Sequence, residues 1–180
     1  RYYPGFRQGK RGLSWYPDDF VNGLPLETGR IWYVDGDKSA SRAGASWSDA
    51  FKTMVEAEAA ASAGDVMKVA ARTMAATDTD PGSYTENLTI NTPSLSIIGV
   101  SRGRTQGGLP QLKKGSGSTE HLIIRAPGCK ITNIGINGAS NTGGGILLDD
   151  DGSTKTAFGV TIENCHFKNC VGTTATNAAT

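Results

Sequence analysis

From Asp65 onward the chain is a succession of short β-like runs, and two of them repeat one another. Laying ITNIGINGA beside TIENCHFKN so that Ile134 falls over Cys165 puts Ile136 over Phe167, one rung apart. The runs are VMKVA (66–70), NLTI (87–90), LSIIGV (95–100), HLIIRA (121–126), KITNIGI (130–136), GILLDD (145–150) and VTIENCHF (160–167). Each alternates β-branched or Leu residues with others and ends in Gly, Asn, Pro or Asp. Loops such as DDDGSTKTAFG vary while the strands keep their length. Strands that stack on a shared core, with insertions collecting in the loops, are how a solenoid is written in sequence.

Composition agrees. Among 180 residues, 24 are Gly, about twice the ~7 % of an average chain, so turns are frequent. Lys+Arg 18 against Asp+Glu 17 leaves a formal charge of +1. Neutralising a run of phosphates needs a concentrated basic excess, so nucleic acid is not an expected partner. No apolar run approaches the ~20 residues of a membrane span. Cys129, Cys165 and Cys170 are too few for a disulfide scaffold and too poorly spaced for zinc, and read as free thiols buried in a β core.

Three regions differ. Residues 1–30 are rich in Pro, Gly, Arg and aromatics and show no periodicity. Such a segment has no way to bury its own rings: either it docks on a partner or it stays disordered. Aromatics and arginines carry binding energy at interfaces, so Tyr2, Tyr3, Phe6, Arg7, Trp15, Tyr16 and Phe20 read as an anchor. Residues 31–64 hold a strand, IWYV, an Asp35-Gly36 turn and one amphipathic helix over 48–63. Ser46 or Ser48 is expected to cap that helix, Asp49 to sit in its first turn and Gly64 to stop it. Its stripe, Phe51, Met54 and Val55 with Ala50, Ala57 and Ala61, is sized to lie as a lid over Val66, Val69, Leu88 and Ile90. Residues 65–180 form the coils. VGTTATNAAT at the end lacks a polar cap, and Arg1 is followed by no leader, so the chain reads as part of a longer one.

The order of strand, turn, GASWSDAFKT (44–53), Gly64-Asp65, GSYTENLTI (82–90) and LSIIG (95–99) resembles the N-terminal cap and first coils of right-handed parallel β-helix proteins of the pectate-lyase-like superfamily. The resemblance covers roughly residues 31–170. It implies an all-β, right-handed parallel β-helix with an N-terminal capping α-helix and an extended arm. One departure is the insertion ARTMAATDTDP (71–81), expected to protrude as a loop. The fold serves polysaccharide lyases, glycoside hydrolases, adhesins and phage tailspikes alike, so it does not fix the function.

Residues able to carry chemistry are sparse. Asp149 and Asp151, pointing together at a strand end, can offer oxygen ligands to Ca²⁺; a solvated turn is the alternative. No other cofactor is expected. A lyase would need a base and cations, for which Arg102, Arg104, Lys113, Lys114 and Arg125 are available. A hydrolase would need paired carboxylates, and Glu86, Glu120 and Glu163 are the candidates. None of these forms a catalytic constellation. His166, between Cys165 and Phe167, points outward, and Asn87-Leu88-Thr89 matches a glycosylation sequon.

The resemblance and the arm together lead to a structural virion protein similar to a phage tailspike or tail fibre. It would bind other virion or tail proteins through residues 1–30, associate as a homotrimer and meet a host polysaccharide with its coils. The alternatives are a secreted polysaccharide lyase or glycoside hydrolase with its site in later coils, and a bacterial surface adhesin.

Overall fold

The computed structural model describes residues 29–73, 82–100, 108–117, 120–140 and 144–171, and the backbone of β1 (Arg7–Gly9) and β2 (Gly12–Ser14), which pair antiparallel. Tyr2, Tyr3, Phe6, Trp15, Tyr16, Phe20 and the side chain of Arg7 lie outside the described residues, as do 74–81 and 101–107.

Alternating apolar residues on short strands bury one face of each strand and need a partner rung above and below. The chain meets that need by winding into a parallel β-solenoid of about 4 turns. The first wall contains β3 (Ile31–Val34), β4 (Val66–Ala70), β7 (Ser96–Val100), β10 (Lys130–Thr132) and β13 (Thr161–Glu163). The second contains β5 (Ser83–Thr85), β8 (Gln111–Lys113), β11 (Gly135–Asn137) and β14 (His166–Lys168). The third contains β6 (Leu88–Ile90), β9 (Leu122–Ile124) and β12 (Ile146–Leu148).

Inside, like sits on like. Met67, Ile97, Ile131 and Ile162 are in register down the first wall, and Tyr84, Leu112, Ile136 and Phe167 down the second. The expected superposition of Ile136 and Phe167 is therefore observed. Leu88, Leu122 and Ile146 complete the core from the third wall. Rungs with neighbours on both sides are buried; in the last described coil Ile162 and Phe167 are 38 % and 51 % exposed because no described rung follows.

The runs KITNIGI and VTIENCHF, expected as single strands, are each broken in two. Asn133 (φ 58) and Asn164 (φ 51) take the left-handed conformation, which Asn tolerates better than most residues, and turn the chain from the first wall to the second. SYT and QLK are strands that the alternation did not reveal. At another corner Gly64 (φ 84), Ser94 (φ 55), Gly128 (φ 67) and Gly159 (φ 68) precede successive first-wall strands. Backbone bonds tie this corner coil to coil: Gly64 N–H to Pro93 O, Ser94 N–H to Pro127 O and Gly128 N–H to Phe158 O, at 2.8–3.1 Å.

The helix is shorter than expected. Trp47–Asp49 form a 3-10 turn, Ala50 is extended, and α1 spans Met54–Ala60. The reason is pairing: Tyr33 O accepts from Phe51 N–H (2.9 Å), and Phe51 O accepts from Asp35 N–H (2.8 Å), which holds Phe51 beside β3. Thr53, not Ser46 or Ser48, caps α1 through a capping box with Glu56, and the helix ends at Ala60, before Gly64. Asp49 thus lies in the 3-10 turn. Met54 and Ala57 are buried against β3, β4 and β6, and Phe51 packs on the core. Val55, expected in the same stripe, is 43 % exposed because a helix starting at Met54 turns it off the buried face. Among the thiols Cys129 is buried but Cys165 is half-buried and Cys170 exposed, the last two standing on the last described coil.

Candidate functional site

Three first-wall strands, β3, β4 and β7, end within a residue of one another, and a cleft opens at that end. Val34, Val69 and Gly99 are in register, so Asp35, Ala70 and Val100 follow side by side. Together with Lys38, Trp47 and Ser48 they line a cleft of about 380 Å³. Its aromatic wall is Trp47, whose ring stands edge-on to Tyr33 with centroids 4.8 Å apart. Lys68 lies over the same Tyr33 ring at 6.0 Å. The polar rim is Asp35, which pairs with Lys38 at 3.9 Å and accepts the Asp37 N–H at 3.1 Å, and the Ser48 hydroxyl, bonded to Ser46 at 2.9 Å.

The rim is held from behind. The buried Tyr84 hydroxyl donates to Ala70 O (2.7 Å) and accepts from Gly36 N–H (3.0 Å), so one phenol fixes the Asp35-Gly36 turn and the end of β4. Burial pushes the phenol well above its ordinary pKa, so it is a protonated donor at neutral pH. Asp37 accepts from Thr73 N–H (2.7 Å) and Oγ1 (2.6 Å) and from Arg72 Nε (3.3 Å).

Carboxylates elsewhere organise the first coil. Asp65, 5 % exposed, accepts from Arg30 N–H (2.7 Å), Trp32 Nε1 (2.8 Å) and Ser62 N–H (2.8 Å). Burial pushes its pKa up, but these donors outweigh burial and hold it below the ordinary range. Glu86 reaches the start of α1 from another coil and accepts the Met54 and Val55 N–H groups at 3.0 and 3.1 Å. Here burial outweighs the bonds and the pKa is raised. Glu58 accepts from Asn91 N–H (2.9 Å) and Thr92 Oγ1 (3.1 Å).

The residues singled out from the sequence are dispersed. Asp149 pairs with Arg125 (2.8 Å) and Lys155 (3.2 Å), whose hydrogen bonds hold its pKa down. Asp151 is the hub of a turn, accepting from the N–H groups of Ser153, Thr154 and Lys155, and its pKa is also lowered by these bonds. Both carboxylates are engaged by protein donors, and among the described residues no three His, Cys, Asp or Glu are grouped to hold a metal ion. Of the lyase cations, Arg125 belongs to the Asp149 pair, Lys114 is buried, and Arg102 and Arg104 lie outside the described residues. Of the hydrolase carboxylates, Glu86 binds the helix start and Glu163 pairs with Lys130 at 3.1 Å. Asn87, the sequon residue, clamps the loop after β8: Nδ2 donates to Ser116 O (2.7 Å) and Oδ1 accepts from Gly115 N–H (3.1 Å). His166 is exposed, as is its neighbour Phe167 on the same last described coil.

Trp47 and Asp65 were not singled out as site residues by sequence reasoning. Their signal was present in GASWSDAFKT and Gly64-Asp65, where a large ring and a carboxylate stand beside turn residues. Neither a protein-family model, nor a curated protein, nor a solved structure matches this chain.

Proposed function

We propose that this chain is a structural virion protein of tailspike or tail-fibre type: a right-handed β-helix of the pectate-lyase-like kind, capped by α1, attached to the particle through residues 1–30 and meeting host glycans with its wall. The observation that carries this reading is the closure of the first coil. The outer edge of β3 is already paired, with Tyr33 N–H on Gly44 O and Phe51 N–H on Tyr33 O, both at 2.9 Å. Helix α1 lies beside it on β3, β4 and β6. A solenoid end left open would template further strands, and a shaft mounted by this end needs it closed. Right-handedness follows the strong preference of parallel crossovers. Association into a homotrimer is supported by the third wall, where Thr89, Ile123 and Leu147 stand in register at outward positions and are half-buried.

The test is co-purification with particles. The full chain should be recovered with purified virions, and a variant lacking residues 1–30 should be lost from them while keeping its β-rich circular dichroism spectrum. A variant that stays particle-bound without the arm, or a full chain never found on particles, overturns the reading. Sedimentation equilibrium at three times the monomer mass checks the trimer.

A further inference from the structure

We infer that the Trp47 cleft binds one pyranose ring of a neutral glycan, an assignment that rests on the glycan-contact reading above and gives it an address. Four observations lead there. The cleft, at about 380 Å³, is in the range that holds a small ligand. Trp47 is 37 % exposed, so part of a large apolar ring remains available to a ligand. Its pose is set by Tyr33, which contacts it at 4.8 Å, so little side-chain freedom is lost on binding. The rim carries acceptors and donors of both kinds: the Asp35 carboxylate, the Lys38 ammonium and the Ser48 hydroxyl.

That combination selects among ligands. A pyranose presents an apolar C–H face to the indole by dispersion and hydrophobic contact, and hydroxyls at its edge to the rim. An anionic ligand would need a surplus of positive charge, whereas Asp35 and Lys38 sit 3.9 Å apart and balance each other. An apolar ligand would need an enclosed pocket, and here Ala70 and Val100 are the aliphatic lining. The cleft is fixed in place by the Tyr84 bridge between Gly36 and Ala70, so it is preformed. One sugar ring held by one aromatic face gives a Kd on the order of millimolar, a strength that becomes useful when several copies act on one glycan.

The experiment is a ¹H–¹⁵N NMR titration of the full chain with methyl α-D-glucopyranoside, methyl α-D-mannopyranoside, methyl β-D-galactopyranoside and N-acetylglucosamine, each to about 50 mM, well above that Kd. At least one pyranoside should shift the Trp47 indole and the Ser48 amide along one saturating isotherm. The Trp32 indole, buried and bonded to Asp65, is the internal control and should stay still. Sorbitol, an open-chain hexitol, should shift neither. Trp47→Ala should weaken binding at least tenfold, and Trp47→Phe, which keeps a ring on Tyr33, should retain part of it. Shifts that saturate elsewhere on the wall and leave Trp47 still overturn this site while leaving the glycan reading intact. No saturable shift with any of the four overturns the site directly, and particle co-purification then decides the broader reading independently.

Discussion

The carboxylate of Asp65 accepts the indole N–H of Trp32 at 2.8 Å, joining residues 33 apart in the chain. Trp32 is a large ring in the first rung, and a buried indole needs its donor satisfied. Asp65 supplies that acceptor and also binds the Arg30 and Ser62 N–H groups. One side chain thereby fixes the entry to β3, the loop after α1 and the ring between them.

Removing the Asp65 charge should loosen all three contacts at once. Asp65→Asn is expected to lower the free energy of unfolding by about 1.5–3 kcal/mol at pH 7, the range for hydrogen bonds to a charged group. The folded pKa lies below the unfolded value of 3.8, so this contribution is present above that value and is lost as pH falls through the folded pKa. Urea melts at pH 7 and below pH 3.8 check it: the gap between wild type and variant should shrink in acid.

Glu86 should show the opposite sign. Burial raises its folded pKa above the unfolded value of 4.5, so its contribution is greatest below 4.5 and declines as pH rises through the folded pKa. Glu86→Gln should therefore gain on the wild type between pH 4 and pH 7. Glu86→Ala, which leaves the Met54 and Val55 N–H groups without this acceptor, should cost about 1 kcal/mol. Paired thermal melts of both variants separate the two effects.

His121 is fully buried; its Nδ1 accepts the Gly145 N–H at 3.1 Å, so the ring proton belongs on Nε2. Burial lowers its pKa from 6.5 to about 4, with the Leu112 carbonyl opposing the shift and Lys114 adding to it. Stability from the neutral ring is complete above pH 6.5 and lost as pH falls toward 4. Replacing the ring by His121→Gln should flatten that part of the pH–stability curve, read by chemical denaturation between pH 7 and pH 4.

At the stacked corner, Ser94 is the one non-glycine among four left-handed residues. Ser94→Gly should stabilise the chain by about 1 kcal/mol, because Gly adopts this conformation without the Cβ penalty. Gly128→Ala should destabilise it by a similar amount. Equal shifts of the same sign in the two melting temperatures would contradict the corner assignment.

Neighbours on α1 should differ sharply. Met54→Ala removes a fully buried side chain and should cost about 2–5 kcal/mol, whereas Val55→Ala, on the exposed side, should stay within about 0.5 kcal/mol. Equal losses at the two positions would refute the placement of the helix.

Much of the solenoid was legible because stacking rungs must match. Ile136 and Phe167 pair as their aligned strands require, and the alternation of Leu122, Ile123 and Ile124 already separates core from wall. Corners were harder to read. The break at Asn133 depends on a left-handed turn that alternation within KITNIGI does not display, and SYT and QLK are too short to show a period. The helix start is not specified locally, because Ser46, Ser48 and Thr53 are all competent caps in sequence, and the backbone pairing of Phe51 with β3 chooses among them.

That apolar residues at alternate positions of short runs are buried together follows from residue order alone, since burial of that pattern is a local demand each strand makes on any partner. The partners of the polar residues, by contrast, are set by the folded arrangement of the coils. Glu86 meets a helix start, Asp65 meets an indole, Asp149 meets Arg125 and Lys155, and Trp47 is left facing a cleft. Hydrogen bonds and ion pairs act over a few ångströms, and which groups come within that range depends on the lengths of loops and the handedness of corners, not on the period of the strands.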